Sequence, residues 1–308
     1  MSVVLLGYHN MGCRALKVLT ELGIEVPAVF THPDSPGENI WFESLADLAK
    51  DYGIPVYFPE NINDKRWITL LKHISPDVIL SCYFRQMIKA EVLSIPKIAA
   101  VNLHGSLLPK YRGRCPVNWQ LICGEKESGV TLHHMVLKPD AGDIIGQKAV
   151  KVEPRDTALD LFKKLEDAAE QVLKKYIPLL LKGEAPRIPQ DHTKATYFGG
   201  RRPEDGKIDW KQDAQSIYNL IRAVTWPYPG AFCNVEGKRL FVWDAQVHQD
   251  LELGVPVGSV QVVDGKVMVQ TGKGCLELIN VSFSNKGPPG SGRVIPGEIY
   301  GSDSVVLE

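Results

Sequence analysis

Six cysteines among 308 residues lie far apart, at positions 13, 82, 115, 123, 233 and 275, and no two form a Cys-x-x-Cys pair. That spacing suggests neither a zinc site nor a disulfide framework. No metal is expected, and reduced thiols point to a cytoplasmic compartment. No apolar run approaches the roughly 20 residues needed to cross a bilayer, so membrane insertion is not expected. Nor is a secretory leader: Ser2 runs straight into Val3-Val-Leu-Leu-Gly, which is too short and lacks a charged lead-in. An excess of charge of either sign is missing too. With 35 Lys and Arg against 36 Asp and Glu, the formal net charge is −1, and no basic run stands out, so nucleic acid is not an expected partner. Gly7 and Gly12 follow the first apolar run, but Gly-x-Gly-x-x-Gly and the lysine of a phosphate-binding loop are both absent. A dinucleotide or ATP site is therefore rejected. There is no internal repeat, and the only biased tract is the Gly/Pro run at 287–297.

What remains is a chain with 44% hydrophobic and 23% charged residues, enough for a full core in about two domains. Buried strands are expected at Val3–Leu6, Glu25–Phe30, Val56–Phe58, Asp77–Cys82 and from Ile98 onward. Helices are expected at Cys13–Leu22, Ser44–Tyr52, Lys65–Ile74 and Lys89–Leu93. This alternation implies an α/β domain around a mostly parallel sheet, with ligands at the carboxyl ends of its strands. Thr157–Leu181 is the longest helical candidate. Its stripe of Leu159, Phe162, Leu165, Ala169, Val172 and Tyr176 reads as packing. Past the breaker-rich linker Gly183–Asp191 the pattern changes. One helix within Asp209–Val224 is followed by short strands at 231–235, 240–247, 258–263, 266–271 and 275–283, the signature of a small β-barrel. The expected division is 1–189 and 203–308.

The chemistry concentrates between Val101 and Gln147. Asn102 and His104 are two apart at the end of an apolar strand, so their side chains share a side. An amide that can hold a developing oxyanion beside an imidazole that can move a proton suits attack on a carbonyl. The irregular loop Ser106–Pro116 follows, with Lys110, Arg112 and Arg114 as cationic donors fit for a carboxylate or phosphate. Beyond the strand starting at Gly129, the turn Lys138-Pro-Asp-Ala-Gly carries Asp140, whose carboxylate could face His104. Read alone, Pro-Asp-Ala-Gly is also good turn chemistry.

Together, Asn102-x-His104, the run Ser106 to Pro116 (SLLPKYRGRCP) and Asp140-x-Gly142 resemble the active site of the 10-formyltetrahydrofolate-dependent formyltransferases. Further stretches resemble one branch, the ArnA-type formyltransferase domain of polymyxin-resistance enzymes. They are Tyr8-His-Asn-Met-Gly-Cys, Thr31-His-Pro-Asp-Ser-Pro-Gly-Glu, Gly53-Ile-Pro-Val-Tyr and Phe198–Asp205. The resemblance implies a Rossmann-like domain joined to a C-terminal barrel resembling an OB-fold. It implies formyl transfer from 10-formyltetrahydrofolate to the amino group of UDP-4-amino-4-deoxy-L-arabinose, and a product used in lipid A modification. It carries catalytic roles onto Asn102, His104 and Asp140. Folate contacts carried over by position are Gln86, Met87, Ile88, Arg114, Val136, Leu137, Lys138, Pro139 and Asp140.

Other residues stay open. Arg201 and Arg202, after Gly199-Gly200, could meet a diphosphate or form a solvated hinge. His9 could line the sugar pocket or finish a turn. His133 and His134 face opposite sides of a strand, and Trp67 and Trp210 read as packing. Methionyl-tRNA formyltransferases resemble the chain around Asn102–Pro116 but carry a basic insertion after the second strand. Here Pro33-Asp-Ser-Pro-Gly-Glu-Asn holds acids and no Lys or Arg. A formyltransferase for a dTDP- or GDP-linked amino sugar and a non-catalytic folate- or nucleotide-binding module are the remaining alternatives. A homo-oligomer stays open.

Overall fold

Two near-continuous apolar runs, Val3–Gly7 (β1) and Val78–Cys82, form strands in which all five residues are buried. Burial on both faces is what a central parallel strand demands. In a computed structural model of the protein, which describes residues 1–35, 37–288 and 306–307, the chain forms two units. The first comprises Met1–Pro116, Glu127–Lys151 and Phe162–Gly199. The second comprises Val117–Lys126, Val152–Leu161 and Gly200–Glu308.

In the first unit β1 leads into α1 (His9–Glu21), β2 (Val29–Phe30) and α2 (Leu45–Asp51). The helix α1 begins four residues earlier than the apolar spacing indicates, with His9 itself at φ 64°. The second strand shrinks to two residues, since Pro27 has no N–H to give a ladder. Ser44 caps α2 by accepting the Asp47 N–H at 3.2 Å. Next come β3 (Val56–Tyr57), α3 (Lys65–Ile74), β4 (Val78–Cys82), α4 (Ala90–Leu93), β5 (Ala99–His104) and β6 (Arg112–Gly113). Pro116, the end of the irregular loop, opens α5 (Pro116–Ile122). Proline at the first helical position removes only an N–H that would have no partner.

Two antiparallel strands, β7 (Glu127–His134) and β8 (Ile144–Lys151), complete a sheet ordered β3-β2-β1-β4-β5-β7-β8, whose first five strands are parallel. This is the Rossmann-like, mostly parallel sheet expected. The long helix α6 (Ala158–Leu181) packs so close that a Cβ at Gly146 would overlap the Tyr176 ring. Trp67 is buried against Phe30 and Tyr57, as packing. A last short strand, β9 (Tyr197–Phe198), pairs in parallel with β6.

The second unit holds α7 (Ala214–Val224), capped by Asp213 accepting the Ser216 N–H at 3.0 Å. Among the described residues five strands follow: β10 (Ala231–Val235), β11 (Lys238–His248), β12 (Val260–Val263), β13 (Lys266–Gln270) and β14 (Cys275–Ser282). These five strands pair antiparallel, in the order β10-β11-β14-β13-β12. This is the small C-terminal β domain, with Phe232, Phe241 and Trp243 clustered in its core. The Gly/Pro run at 287–297 lies, from residue 289, outside the described residues. All six cysteines are free. Among the described residues no helix is long and apolar enough to cross a membrane, and no group of three or more His, Cys, Asp and Glu could hold a metal ion.

Candidate active site

The strand β5 delivers Asn102 and His104 to one side, as alternation requires. Across the ladder, Asn102 sits opposite His133 of β7, and the Asn102 amide Nδ2 lies 3.2 Å from His133 Nε2. His133 Nδ1 lies 2.9 Å from the His134 carbonyl, so Nδ1–H donates there. In the neutral ring Nε2 accepts from Asn102, whereas in the protonated ring Nε2–H points its proton to Asp140. Asp140 closes the group. Its Oδ1 lies 3.7 Å from His104 Nδ1 and 3.5 Å from His133 Nε2, while Oδ2 accepts the Gly113 N–H at 2.8 Å. His104 and His133 are buried, while Asn102 and Asp140 are partly exposed.

Burial alone would raise the Asp140 pKa. The His104 charge, the His133 side chain and the Gly113 N–H outweigh it and hold the carboxyl well below the usual range. The carboxylate is therefore ionised at neutral pH. His104 Nε2 donates to the Tyr111 carbonyl at 2.7 Å, which leaves Nδ1 as the ring atom facing Asp140.

Local backbone explains the motif. Asp140 adopts φ 52°, and a Cβ at Gly142 would overlap the His134 carbonyl, hence glycine two residues on. Gly113 has φ 100°, and a Cβ there would strike the Phe198 carbonyl. Ser106 and Thr131 pin the intervening loop. The Ser106 hydroxyl donates to the Lys110 carbonyl, and Thr131 donates to the Ser106 carbonyl.

The folate contacts expected by position fall on two loops and one strand end. The Gln86 amide is already spent within its own unit. It accepts the Ile62 N–H at 2.6 Å and donates to the Pro59 carbonyl at 2.7 Å. Asn63 adds a bond to the Met87 carbonyl. Ile88 is buried in the sheet core. Met87, Val136 and Leu137 are apolar yet exposed, at 58%, 44% and 65%. Arg114 is exposed and gives its backbone N–H to Phe198. Lys138 lies over the Tyr197 ring, 5.2 Å from its centroid, and Pro139 leads into the Asp140 turn.

One expectation changes, and the structure places the residues that the sequence left open. Arg112 is no surface donor. It is completely buried, bonded to Tyr197, Gln190 and His192. His9 opens α1. It is buried among Trp41, Phe42 and Phe162, and burial, then the Arg85 charge, push its pKa down to about 3. Arg201 and Arg202 lie in the second unit. The Arg201 guanidinium lies over the Trp119 ring and donates to the Asp205 carbonyl at 2.7 Å, and the Arg202 N–H donates to Asp205 Oδ2.

His133 is the residue that sequence reasoning missed. Its signal was the pairing of β5 with β7, which sets it opposite Asn102.

A family pattern described as formyl transferase matches residues 15–177, and one described as formyl transferase, C-terminal domain, matches residues 201–290. The chain belongs to the formyl transferase family and is a formyltransferase. Among solved structures it is similar to WlaRD, a sugar 3N-formyl transferase crystallised with dTDP and 5-N-formyl-THF. The TM-score is 0.69 at 22% identity, over 90% of this chain and 97% of that one. It is also similar to an N-formyltransferase from Helicobacter canadensis in complex with folinic acid and dTDP-3-aminofucose, with TM-score 0.69 and 23% identity over 90% and 98%. HypX from Aquifex aeolicus in complex with tetrahydrofolic acid matches at 0.60 and 20%, over 91% of this chain but 44% of its own length. At these identities the likeness is one of fold.

Proposed function

We propose that the protein transfers a formyl group from 10-formyltetrahydrofolate to the amino group of a nucleotide-linked amino sugar, UDP-4-amino-4-deoxy-L-arabinose. The observation that carries this reading is the meeting of Asn102, His104 and Asp140 in one cluster, with His104 Nδ1 3.7 Å from the carboxylate. Two of the similar structures hold a formylated folate and a dTDP compound, which supports a folate donor and a nucleotide-sugar acceptor. The acids of Pro33–Asn39, in place of a basic insertion, favour the sugar over tRNA. The ArnA-type stretches favour the UDP-linked pentose.

The residues divide the work as follows. The neutral amine attacks the formyl carbon, forming a C–N bond and a tetrahedral oxyanion. Asn102 stabilises that oxyanion with the amide N–H not given to His133. His104 takes the ammonium proton at Nδ1 and returns it to N10 of the folate as the C–N10 bond breaks, releasing tetrahydrofolate. Asp140 balances the imidazolium charge. The exposed Met87, Val136 and Leu137 provide apolar surface for the donor, and Arg114 an anion partner for its carboxylates. Purified protein offered 10-formyltetrahydrofolate with UDP-, dTDP- and GDP-linked amino sugars and charged methionyl-tRNA tests this, with mass spectrometry of each acceptor. Formylation of the UDP-linked pentose is expected. Formylation of the tRNA alone would overturn it, and a dTDP sugar preferred over the UDP sugar would correct the nucleotide.

A further inference from the structure

The segment Tyr111–Gly113 grips both reacting side chains at once. The Tyr111 carbonyl accepts from His104, and the Gly113 N–H donates to Asp140. Tyr111 and Gly113 have φ of 58° and 100°, and Asp140 has φ 52°, so these backbones need outside support to persist. That support comes from the strap at 188–198. The strap is tied to β8 by paired backbone bonds between Ile144 and Ile188, at 2.8 and 2.9 Å. At its other end it pairs with β6 through Tyr197 and Phe198.

One side chain in the middle of the strap joins the two grips. The Gln190 amide Nε2 donates to the Asp140 carbonyl at 2.9 Å and to the Gly142 carbonyl at 2.6 Å. Its Oε1 accepts from the Arg112 guanidinium at 2.5 Å. Arg112 is wholly buried and is fixed further by the Tyr197 hydroxyl at 2.6 Å and His192 Nδ1 at 3.0 Å. The amide thus holds two peptide planes of the Asp140 turn while Arg112 sets the amide's orientation. Arg112 is also the residue between Tyr111 and Gly113. The chain of contacts closes on itself: His104, Tyr111, Arg112, Gln190, Asp140 and back to His104.

We infer that Gln190, oriented by Arg112, is a positioning residue for the transfer, aiming the Asp140 carboxylate at His104 and His133. The inference rests on the formyltransferase reading above. A carboxylate at 190 still accepts from Arg112 but cannot donate, so it turns two supported carbonyls into unsupported ones.

The test is Gln190→Glu, with Gln190→Met as a second variant of similar size if the first does not fold. The expected result is a kcat lowered by about 10- to 100-fold, the scale of a small misplacement at a reacting group. Both KM values should stay within about twofold, as for an interaction felt only in the transition state. In an Asp140→Asn background, Gln190→Glu should remove little further activity, because Gln190 acts through that carboxylate. Amide exchange supplies a reading independent of turnover. The Gly113 N–H should lose protection while amides of β1 and β4 keep theirs. Wild-type kcat together with wild-type Gly113 protection would overturn the inference. So would losses that add fully to Asp140→Asn, or protection falling equally across the sheet, either of which marks a merely structural clamp. If the unmutated protein formylates no acceptor, the functional proposal fails instead, and Gly113 exchange still decides the brace.

Discussion

Replacing Asp140 by Asn removes one charge and little else. Asn can still accept the Gly113 N–H, so the turn has its bond, but the two imidazoles lose their anion. The carboxylate lies 3.7 Å from His104 Nδ1. At an effective dielectric of about 20, a full charge pair at that distance is worth about 4 kcal/mol. Some of this is never realised, because His133 shares the same oxygen. A loss of about 3 kcal/mol at the transition state corresponds to a kcat lower by about two orders of magnitude. Initial rates of tetrahydrofolate release, with donor and acceptor varied separately, measure it. Both KM values should move little, because the charge is needed when the imidazolium forms. The same carboxyl, held below its ordinary pKa, contributes stability that is full above about pH 4 and lost as pH falls through its depressed folded value. The stability gap between wild type and Asp140→Asn should therefore narrow below about pH 4. A kcat within fivefold of wild type, with folding intact, would refute the role given to Asp140.

Asn102→Ala should lower kcat by about 10²- to 10³-fold with donor binding retained, read by the same assay and by equilibrium binding of folinic acid. His9 refuses a proton that the unfolded chain accepts between about pH 6.5 and about 3, so it costs stability as pH falls through that window. Urea unfolding of wild type and His9→Asn at pH 7.5 and pH 5 should show their difference changing by about 2 kcal/mol; parallel curves would remove the idea. Gly142→Ala drives a Cβ into the His134 carbonyl and should destabilise by about 1–3 kcal/mol while depressing kcat, measured by urea melts and rates. Leu137→Asp should raise the KM for the folate donor about tenfold with kcat near normal, if its exposed side chain is covered by the donor.

Much of the site was legible because it is local. Asn102 and His104 share a side through strand alternation, whereas Asp140, turn chemistry when read alone, joined them only through the resemblance of the whole motif. The parallel core was legible for a similar reason. Val3–Gly7 and Val78–Cys82 are apolar without alternation, as burial on both faces requires. His133, Gln190 and Arg112 were not legible in those terms. His133 reaches Asn102 across 31 residues through strand register, and Gln190 reaches Asp140 across 50. Arg112 carried the right charge for a surface donor, yet its burial depends on Gln190, Tyr197 and His192, 78 to 85 residues away. Periodicity and steric rules act between chain neighbours, so they can be read along the chain. Which distant groups complete a hydrogen-bond network, and which charges it seals from water, is settled when the strands pair and the strap closes over them.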